Sequence, residues 1–142
     1  MRVVISAGPT REAIDPVRFI SNRSTGRMGY ALAAAAVKRG LETVLVSGPV
    51  ALKPPEGLAG FIGIETAAEM ADAMKCEAAK ADCIIMCAAV ADYRPVKAAD
   101  RKLKKKTDRM ILELEPTEDV LLSLGRAKRE DQILVGFAAE TN

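Results

Sequence analysis

Four short stretches of the chain carry residue types that could bind a phosphate-bearing small molecule, and the first is residues 21–29 (SNRSTGRMG). Backbone N–H groups at a helix start attract phosphate, and glycine lets a ligand approach the backbone closely. Ser24 and Thr25 add hydroxyl groups. The stretch does not match G-x-x-x-x-G-K-[ST], and Gly26 and Gly29 lack the first glycine of a dinucleotide fingerprint. A helix start with one glycine packed on a sheet explains the same residues equally well.

Two further stretches, residues 87–93 (CAAVADY) and 135–141 (VGFAAET), each follow an apolar run. In open α/β sheets, ligands bind at the carboxyl ends of the strands. Asp92 could hold Mg²⁺ or a donor group of a ligand, and Phe137 could stack on a base. An ordinary turn aspartate and a core phenylalanine are the alternative interpretations.

The fourth stretch is a basic run between residues 101 and 109, in which six positions are Lys or Arg. A loop lysine can neutralise charge that develops at a transferred phosphorus. A solvated charged face is the alternative. The sequence contains no His, which excludes His-based activation of a nucleophile, and its three cysteines alone are too few ligands for a Cys/His metal site.

Composition limits the class of protein. The 142 residues suit one domain, and a net charge of +2 is too small to indicate a nucleic-acid partner. No apolar run approaches the roughly 20 residues that span a bilayer, and the first residues lack a signal-peptide pattern, so we expect no membrane partner and a cytoplasmic location. The three cysteines cannot all pair, and we expect buried thiols in a reducing compartment.

The elements that would position these stretches alternate between strand and helix. Apolar runs predict strands at residues 3–5, 43–46, 61–64 and 83–87, each buried on both faces as in a parallel sheet. Helices are predicted at 28–39, ended by Gly40, and at 66–80, begun by a capping box. The order predicts an α/β fold, a Rossmann-like doubly wound, mostly parallel sheet with helices on both faces.

The remainder of the chain is predicted as one long basic loop, a strand, a helix and a last strand. The loop covers residues 88–109, of which 93–109 are expected to be flexible. The strand is predicted at 110–114, and the helix at 117–128 with Thr117 as its N-cap. The last strand is predicted at 132–135. We therefore interpret residues 1–142 as a single nucleotide-binding domain.

Together and in this order, the motifs resemble those of phosphopantothenate–cysteine ligase (phosphopantothenoylcysteine synthetase), in particular the bacterial form at the C-terminal end of a bifunctional coenzyme A protein. The resemblance is carried by residues 7–12 (AGPTRE), 15–29 (DPVRFISNRSTGRMG), 88–93 (AAVADY) and 136–141 (GFAAET). It implies a reaction in which the carboxylate of 4′-phosphopantothenate attacks the α-phosphorus of CTP, accompanied by Mg²⁺. The cysteine amine then displaces CMP from the acyl-cytidylate. ATP replaces CTP in eukaryotic members, and only the bacterial likeness favours CTP.

The resemblance also implies roles for individual residues. Asn22 and Lys102 are expected to be catalytic, although any lysine of 102–106 could take the second role. Arg18, Asn22, Ala88 and Ala89 are expected to bind substrate, with Arg18 reaching the substrate phosphate of a partner subunit in a homodimer. Nucleotide contacts are expected from Gly8, Ser24, Gly26, Gly29, Met86, Cys87, Ala88, Asp92, Lys102, Thr117, Glu118, Asp119, Val120 and Phe137.

The chain departs from the family pattern at Glu118, where Pro is usual, and a carboxylate near a triphosphate is unfavourable unless a cation intervenes. The family also continues beyond Asn142 with further triphosphate-binding lysines, and a flavin-dependent decarboxylase domain normally precedes it. We therefore expect a truncated chain whose activity is impaired.

Two other functions are considered. An NAD(P)-binding Rossmann oxidoreductase would need a glycine-rich turn directly after the first strand and an acidic residue at the end of the second. The sequence has residues 7–10 (AGPT) and Ser47-Gly48 at these places. A non-catalytic nucleotide-binding or dimerisation module is the other alternative.

Overall fold

The computed structural model describes residues 1–105 and 109–139. Within these residues lie strands β1 (Arg2–Ala7), β2 (Arg11–Ala13), β3 (Phe19–Ser21), β4 (Glu42–Ser47), β5 (Gly60–Gly63), β6 (Cys83–Met86), β7 (Tyr93–Pro95), β8 (Leu114–Pro116) and β9 (Ile133–Gly136), together with helices α1 (Arg27–Lys38), α2 (Ala67–Ala78) and α3 (Val120–Ala127).

Five strands form one parallel sheet in the order β5-β4-β1-β6-β9. Alternate residues of β1 face opposite layers: Val4 packs in a core with α2 and α3, whereas Val3 and Ile5 pack in a second core with α1. Burial of one such side chain contributes about 1.5–3 kcal/mol. The predicted doubly wound sheet with helices on both faces is confirmed.

Local signals set the helix ends. Thr66 begins α2, where its hydroxyl accepts from the Glu69 N–H at 3.2 Å and the Glu69 carboxylate accepts from the Thr66 N–H at 3.3 Å, which confirms the predicted capping box. Helix α1 ends just before Gly40, which has a φ of +74° that suits glycine.

Two predictions near the end of the chain are wrong. Residues 110–113 are not in a strand, and β8 begins only at Leu114. Thr117 is not the N-cap of α3, because Asp119 takes that position and accepts from the Leu122 N–H at 2.9 Å. An aspartate directly before the helix satisfies its orphan N–H as well as a threonine does, so residue type alone did not show which of Asp119 and Thr117 is the cap.

The sequence prediction missed two small antiparallel hairpins. Strands β2 and β3 follow β1 and pair with each other. Strand β7 lies inside the predicted long loop and pairs with β8, which lies after that loop. The β2–β3 hairpin fills the connection where a dinucleotide-binding protein would have a tight glycine-rich turn, and β4 ends at Ser47 rather than at an acidic residue. Both features disfavour the NAD(P) alternative. No helix in the part of the chain that the structure describes is long and apolar enough to cross a membrane.

Candidate functional site

The main cleft lies at the carboxyl ends of β6 and β9 and has a volume of about 700 Å³. The start of α3 and the segment after β3 close its sides. Most of the predicted nucleotide and substrate contacts meet here. Its lining residues are Asn22, Met86, Ala88, Ala89, Val90, Ala91, Asp92, Thr117, Glu118, Asp119, Val120, Leu121, Phe137, Ala138 and Ala139.

Two fully buried hydroxyl groups hold the loop that forms the floor of this cleft. The Ser6 hydroxyl accepts from the N–H groups of Cys87 at 3.0 Å and Ala88 at 3.1 Å. The Thr10 hydroxyl accepts from the Ala91 N–H at 2.9 Å. Because buried N–H groups must be paired, Ser6 and Thr10 determine the course of this loop. The sequence prediction assigned neither residue a role.

Backbone hydrogen bonds close the crevice between β1 and β6, the usual ligand site of a doubly wound sheet. The Ala89 N–H donates to the Gly8 carbonyl at 2.9 Å, and the Thr10 N–H donates to the Ala89 carbonyl at 3.2 Å. The ends of the two strands are therefore joined to each other. The cleft opens instead one strand further along, above β6 and β9.

The side-chain amide of Asn22 has a defined orientation. Its Nδ2 donates to the carbonyls of Ala89 at 3.2 Å and Val90 at 3.1 Å. Since both partners are acceptors, the amide nitrogen must face them, and the Oδ1 atom is the one left for a ligand in the cleft. Asn22 can therefore accept a hydrogen bond from a donor such as an amine.

The start of α3 is tied to the same floor loop. The Thr117 hydroxyl donates to the Ala91 carbonyl, and the Thr117 N–H donates to the Asp92 carbonyl at 2.9 Å. Glu118 pairs with Lys75 of α2, and this hydrogen bond lowers the pKa of the Glu118 carboxyl from its ordinary value. Lys75 is thus the cation that offsets the negative charge of Glu118 beside an anionic ligand.

Phe137 stands at the mouth of the cleft, half exposed, directly after β9. Its N–H donates to the Met86 carbonyl at 3.0 Å, which continues the pairing of β9 with β6. The ring does not pack in either core. An aromatic face that is anchored through its backbone and open to the cleft suits stacking on a planar ligand.

A second cleft, of about 620 Å³, contains Ser24 and Thr25 together with two basic residues that the sequence prediction missed, Arg11 and Arg27. Asn22 lines the main cleft whereas Ser24 lines the second, so residues 22–24 lie between the two clefts. The Ser24 N–H donates to the Asn22 carbonyl at 2.9 Å within this segment. The sequence could have indicated these two arginines, because Arg11 follows Thr10 and Arg27 follows Gly26 in the stretches that carry the family resemblance.

Gly8 and Gly26 make a close backbone contact beside the second cleft. Both have a positive φ, and a Cβ on Gly26 would lie 3.4 Å from the Gly8 Cα atom and 2.9 Å from Val50. Gly29, in contrast, packs α1 on β1, because a Cβ there would lie 2.5 Å from the Ala7 Cβ. The interpretation of one packed glycine at the helix start therefore holds for Gly29.

Of the three cysteines, Cys83 is buried, Cys87 is half-buried and Cys76 is exposed, and all three are free thiols. The expectation that all three are buried is wrong for Cys76, which lies on the outer side of α2. Burial raises the pKa of the Cys83 and Cys87 thiols, so neither is an activated nucleophile. Residues 1–105 and 109–139 contain no group of three or more side chains that could hold a metal ion.

Comparison with known families matches all 142 residues to the DNA/pantothenate metabolism flavoprotein C-terminal domain. The chain belongs to this family. It is 57% identical over 139 residues to the coenzyme A biosynthesis bifunctional protein CoaBC of Bacillus subtilis, covering 98% of the chain and 34% of that protein. It is 50% identical over 141 residues to a cysteine/cysteine sulfinic acid decarboxylase of an unknown prokaryotic organism, covering 99% of the chain and 39% of that protein.

Among solved structures, the C-terminal domain of a coenzyme A biosynthesis bifunctional protein CoaBC superposes with a TM-score of 0.84 at 47% identity. The match covers 98% of this chain and 64% of the other. Measured against the two curated relatives named above, the chain spans about a third of their length. Family membership and the fold agree with the resemblance carried by the motifs.

Six of the residues that the resemblance marks do not line either cleft, namely Gly8, Arg18, Gly26, Gly29, Cys87 and Lys102. The Arg18 guanidinium binds the Asp15 carboxylate and the Leu103 carbonyl of its own chain. Its contact with a partner subunit stays a prediction. Lys102 is exposed, as are Lys104 and Lys105, whereas Lys106, Glu140 and Thr141 lie outside the described residues.

Proposed function

We propose that this chain is the nucleotide-binding part of a phosphopantothenate–cysteine ligase that acts in coenzyme A synthesis. The observation that carries the proposal is the main cleft, which is lined by Asn22 with its oriented amide, by Asp92 and by Phe137. Membership of the family, with CoaBC among its relatives, supports the same function.

The nucleotide proposed for the main cleft is CTP. Phe137 offers a face for the cytosine ring, and the Asp92 carboxylate can accept from the exocyclic amine of cytosine, for which uracil has a carbonyl oxygen instead. The triphosphate would extend towards Ser24, Arg11 and Arg27 in the second cleft. Since the described residues offer no preformed metal cluster, Mg²⁺ would arrive as the ion already bound to the nucleotide.

The proposed reaction has two balanced steps. A carboxylate oxygen of 4′-phosphopantothenate attacks the α-phosphorus of CTP, and the bond from this phosphorus to the bridging oxygen breaks and releases pyrophosphate. The cysteine amine then attacks the acyl carbon, the bond to the cytidylate oxygen breaks, and CMP leaves as the amine loses a proton. These steps need positioning and charge neutralisation more than an acid–base triad, in keeping with a sequence without His.

Within this reaction, Asn22 is proposed to hold the amine. Its Oδ1 atom accepts from an N–H of the attacking cysteine amine, because its Nδ2 atom already donates to the carbonyls of Ala89 and Val90. Lys102 is proposed to neutralise charge at the α-phosphorus. A homodimer is proposed as the working assembly. The parent protein is proposed to contain a flavin-dependent decarboxylase as a further domain. The free thiols support the proposed reducing, cytoplasmic location.

Calorimetric titration of the chain with Mg·CTP tests the proposal, with Mg·UTP and Mg·ATP as matched controls. We expect binding of CTP and weaker binding of UTP, because the uracil O4 atom would face the Asp92 carboxylate. An Asp92→Asn variant, whose amide can donate to O4, should narrow the difference between CTP and UTP. Equal heats for all three nucleotides would contradict the assignment of the base site, and no heat with any of them would refute the proposed function.

A further inference from the structure

Asp15 is a buried carboxylate in the turn between β2 and β3, and only 3% of its surface is exposed. Its Oδ1 atom accepts from the N–H groups of Val17 at 2.9 Å and Arg18 at 2.8 Å. Its Oδ2 atom accepts from the Arg18 guanidinium and from the Leu103 N–H at 3.0 Å. A carboxylate this well bonded is held rigidly, since desolvation makes each lost partner costly.

Arg18 completes the hold on the same distant residue. Its Nη2 atom donates to the Leu103 carbonyl at 2.7 Å while the guanidinium also binds Asp15. Both backbone polar groups of Leu103 are therefore bound by the β2–β3 turn, one by Asp15 and the other by Arg18. We call this arrangement of Asp15, Arg18 and Leu103 the turn latch.

Two further contacts support the turn latch. The Ala99 N–H donates to the Ile14 carbonyl at 2.9 Å. Leu103 also lines a surface pocket together with Ile14, Val96 and Ile111. Residues 99–103, which include the start of the basic run, are thus fastened to the hairpin by backbone and side-chain hydrogen bonds.

The position of the turn latch connects the two residues for which catalytic roles are proposed. Strand β3 connects the turn to Asn22, and four extended residues place Asn22 about 13 Å along the chain from Arg18. Lys102 is the immediate neighbour of Leu103. One short hairpin therefore carries Asn22 at one end and holds the backbone beside Lys102 at the other.

We propose that Asp15 is a positioning residue which, through Arg18 and the backbone of Leu103, sets where Lys102 stands relative to Asn22. This inference rests on the proposed function, because it assumes that Lys102 serves the nucleotide. Asp15 acts through the backbone of another segment and need not touch a ligand itself. Arg18 takes part in the turn latch through its bonds to Asp15 and Leu103, and its contact with a partner subunit stays a separate prediction.

The first test needs no nucleotide and follows amide hydrogen exchange of Leu103 in an Asp15→Asn variant. We expect exchange at Leu103 to become about tenfold faster, while the amides of β6 keep their protection and report an intact fold. Asp100→Asn, which removes the same charge from an exposed residue of the same segment, should leave Leu103 unchanged. Unchanged exchange in Asp15→Asn would refute the turn latch.

The second test is a double-mutant cycle on the affinity for Mg·CTP. Removal of a negative charge should by itself strengthen the binding of an anion, and Asp100→Asn measures this effect. We expect Asp15→Asn to weaken binding instead, by about fivefold, and to have no effect in a Lys102→Met background. Tighter binding, or equal weakening in both backgrounds, would overturn the positioning role.

The two tests also separate this inference from the proposed function. If the unmodified chain binds no CTP, the proposed function fails and the positioning role fails with it, whereas the exchange rates still decide whether the turn latch exists. If the chain binds CTP but Asp15→Asn leaves the affinity unchanged, only the positioning role is refuted.

Discussion

The Nζ atom of Lys75 lies 2.5 Å from one carboxylate oxygen of Glu118 and 2.7 Å from the other, which joins α2 to the rim of the main cleft. Without Lys75, Glu118 would present an uncompensated negative charge to an anionic ligand. Both side chains are partly exposed, so solvent and salt screen the pair and its effect on binding is modest.

We therefore expect Lys75→Met to weaken the binding of Mg·CTP by about two- to fivefold, as measured by calorimetry at low salt. The loss should shrink at about 1 M salt. It should also disappear in the double variant with Glu118→Gln. Lys80→Met makes the same charge change at the end of α2, away from the cleft, and should have no effect. A loss that persists in the double variant would show that Lys75 acts on the ligand directly.

The ring of Phe137 should contribute to nucleotide affinity and little to stability. Phe137→Ala is expected to weaken CTP binding by about 5- to 150-fold, the range that corresponds to about 1–3 kcal/mol for stacking of one base. Phe61 on the edge strand β5 is similarly exposed, and Phe61→Ala is the matched control with unchanged affinity. Equal losses in both variants would contradict the assignment of Phe137 to the base.

Ser6 should affect stability and binding together. In Ser6→Ala the N–H groups of Cys87 and Ala88 lose their acceptor, at a cost of about 1–3 kcal/mol in the free energy of unfolding, and the cleft floor loosens. Ser47→Ala removes another buried hydroxyl, one that bonds to Tyr30 and to the Gly48 carbonyl. Urea unfolding should register both changes, whereas only Ser6→Ala should weaken CTP binding.

The packing of α1 on β1 predicts an unfavourable effect of a single methyl group. Gly29→Ala places a Cβ 2.5 Å from the Ala7 Cβ, and overpacking of this kind costs about 1–3 kcal/mol. That cost should exceed the gain in helix propensity of up to about 1 kcal/mol. At Gly60 a Cβ meets Val44 at an ordinary 3.6 Å, so Gly60→Ala should change stability little. Thermal unfolding of the two variants measures the difference, and a stabilised Gly29→Ala would contradict the packing role.

The turn latch makes stability depend on pH. The Arg18 guanidinium holds the pKa of the Asp15 carboxyl well below its ordinary value of 3.8. For a lowered pKa, the stabilisation is complete above the ordinary value and is lost as the pH falls through the folded value. The chain should thus be more stable than Asp15→Asn at about pH 7, and the gap should close only below pH 3.8. Urea unfolding across this range is the measurement, with Asp100→Asn as the control that shows no gap. A gap that closes well above pH 3.8 would be inconsistent with the ionised latch.

The sequence by itself determined the parallel sheet, the helices and the choice of motif stretches. Buried runs such as 43–46, the capping box at Thr66 and the stop at Gly40 act through neighbours in the chain, so their effect can be read locally. The short hairpins escaped prediction because strands of three residues carry too little alternation to distinguish them from loop. The main cleft was anticipated as a set of residues, because the ends of β6 and β9 must lie at one edge of the sheet.

Only the tertiary structure decided how those residues are divided and held. It closed the crevice between β1 and β6, separated Ser24 from Asn22 into two clefts, and assigned Gly29 to packing. The side-chain contacts that hold the site together also join residues far apart in the chain: Ser6 binds the N–H of Cys87, Asp15 that of Leu103, and Lys75 the carboxylate of Glu118. No local pattern encodes such contacts, because each depends on where two separate elements pack and on which polar groups burial leaves in need of a partner.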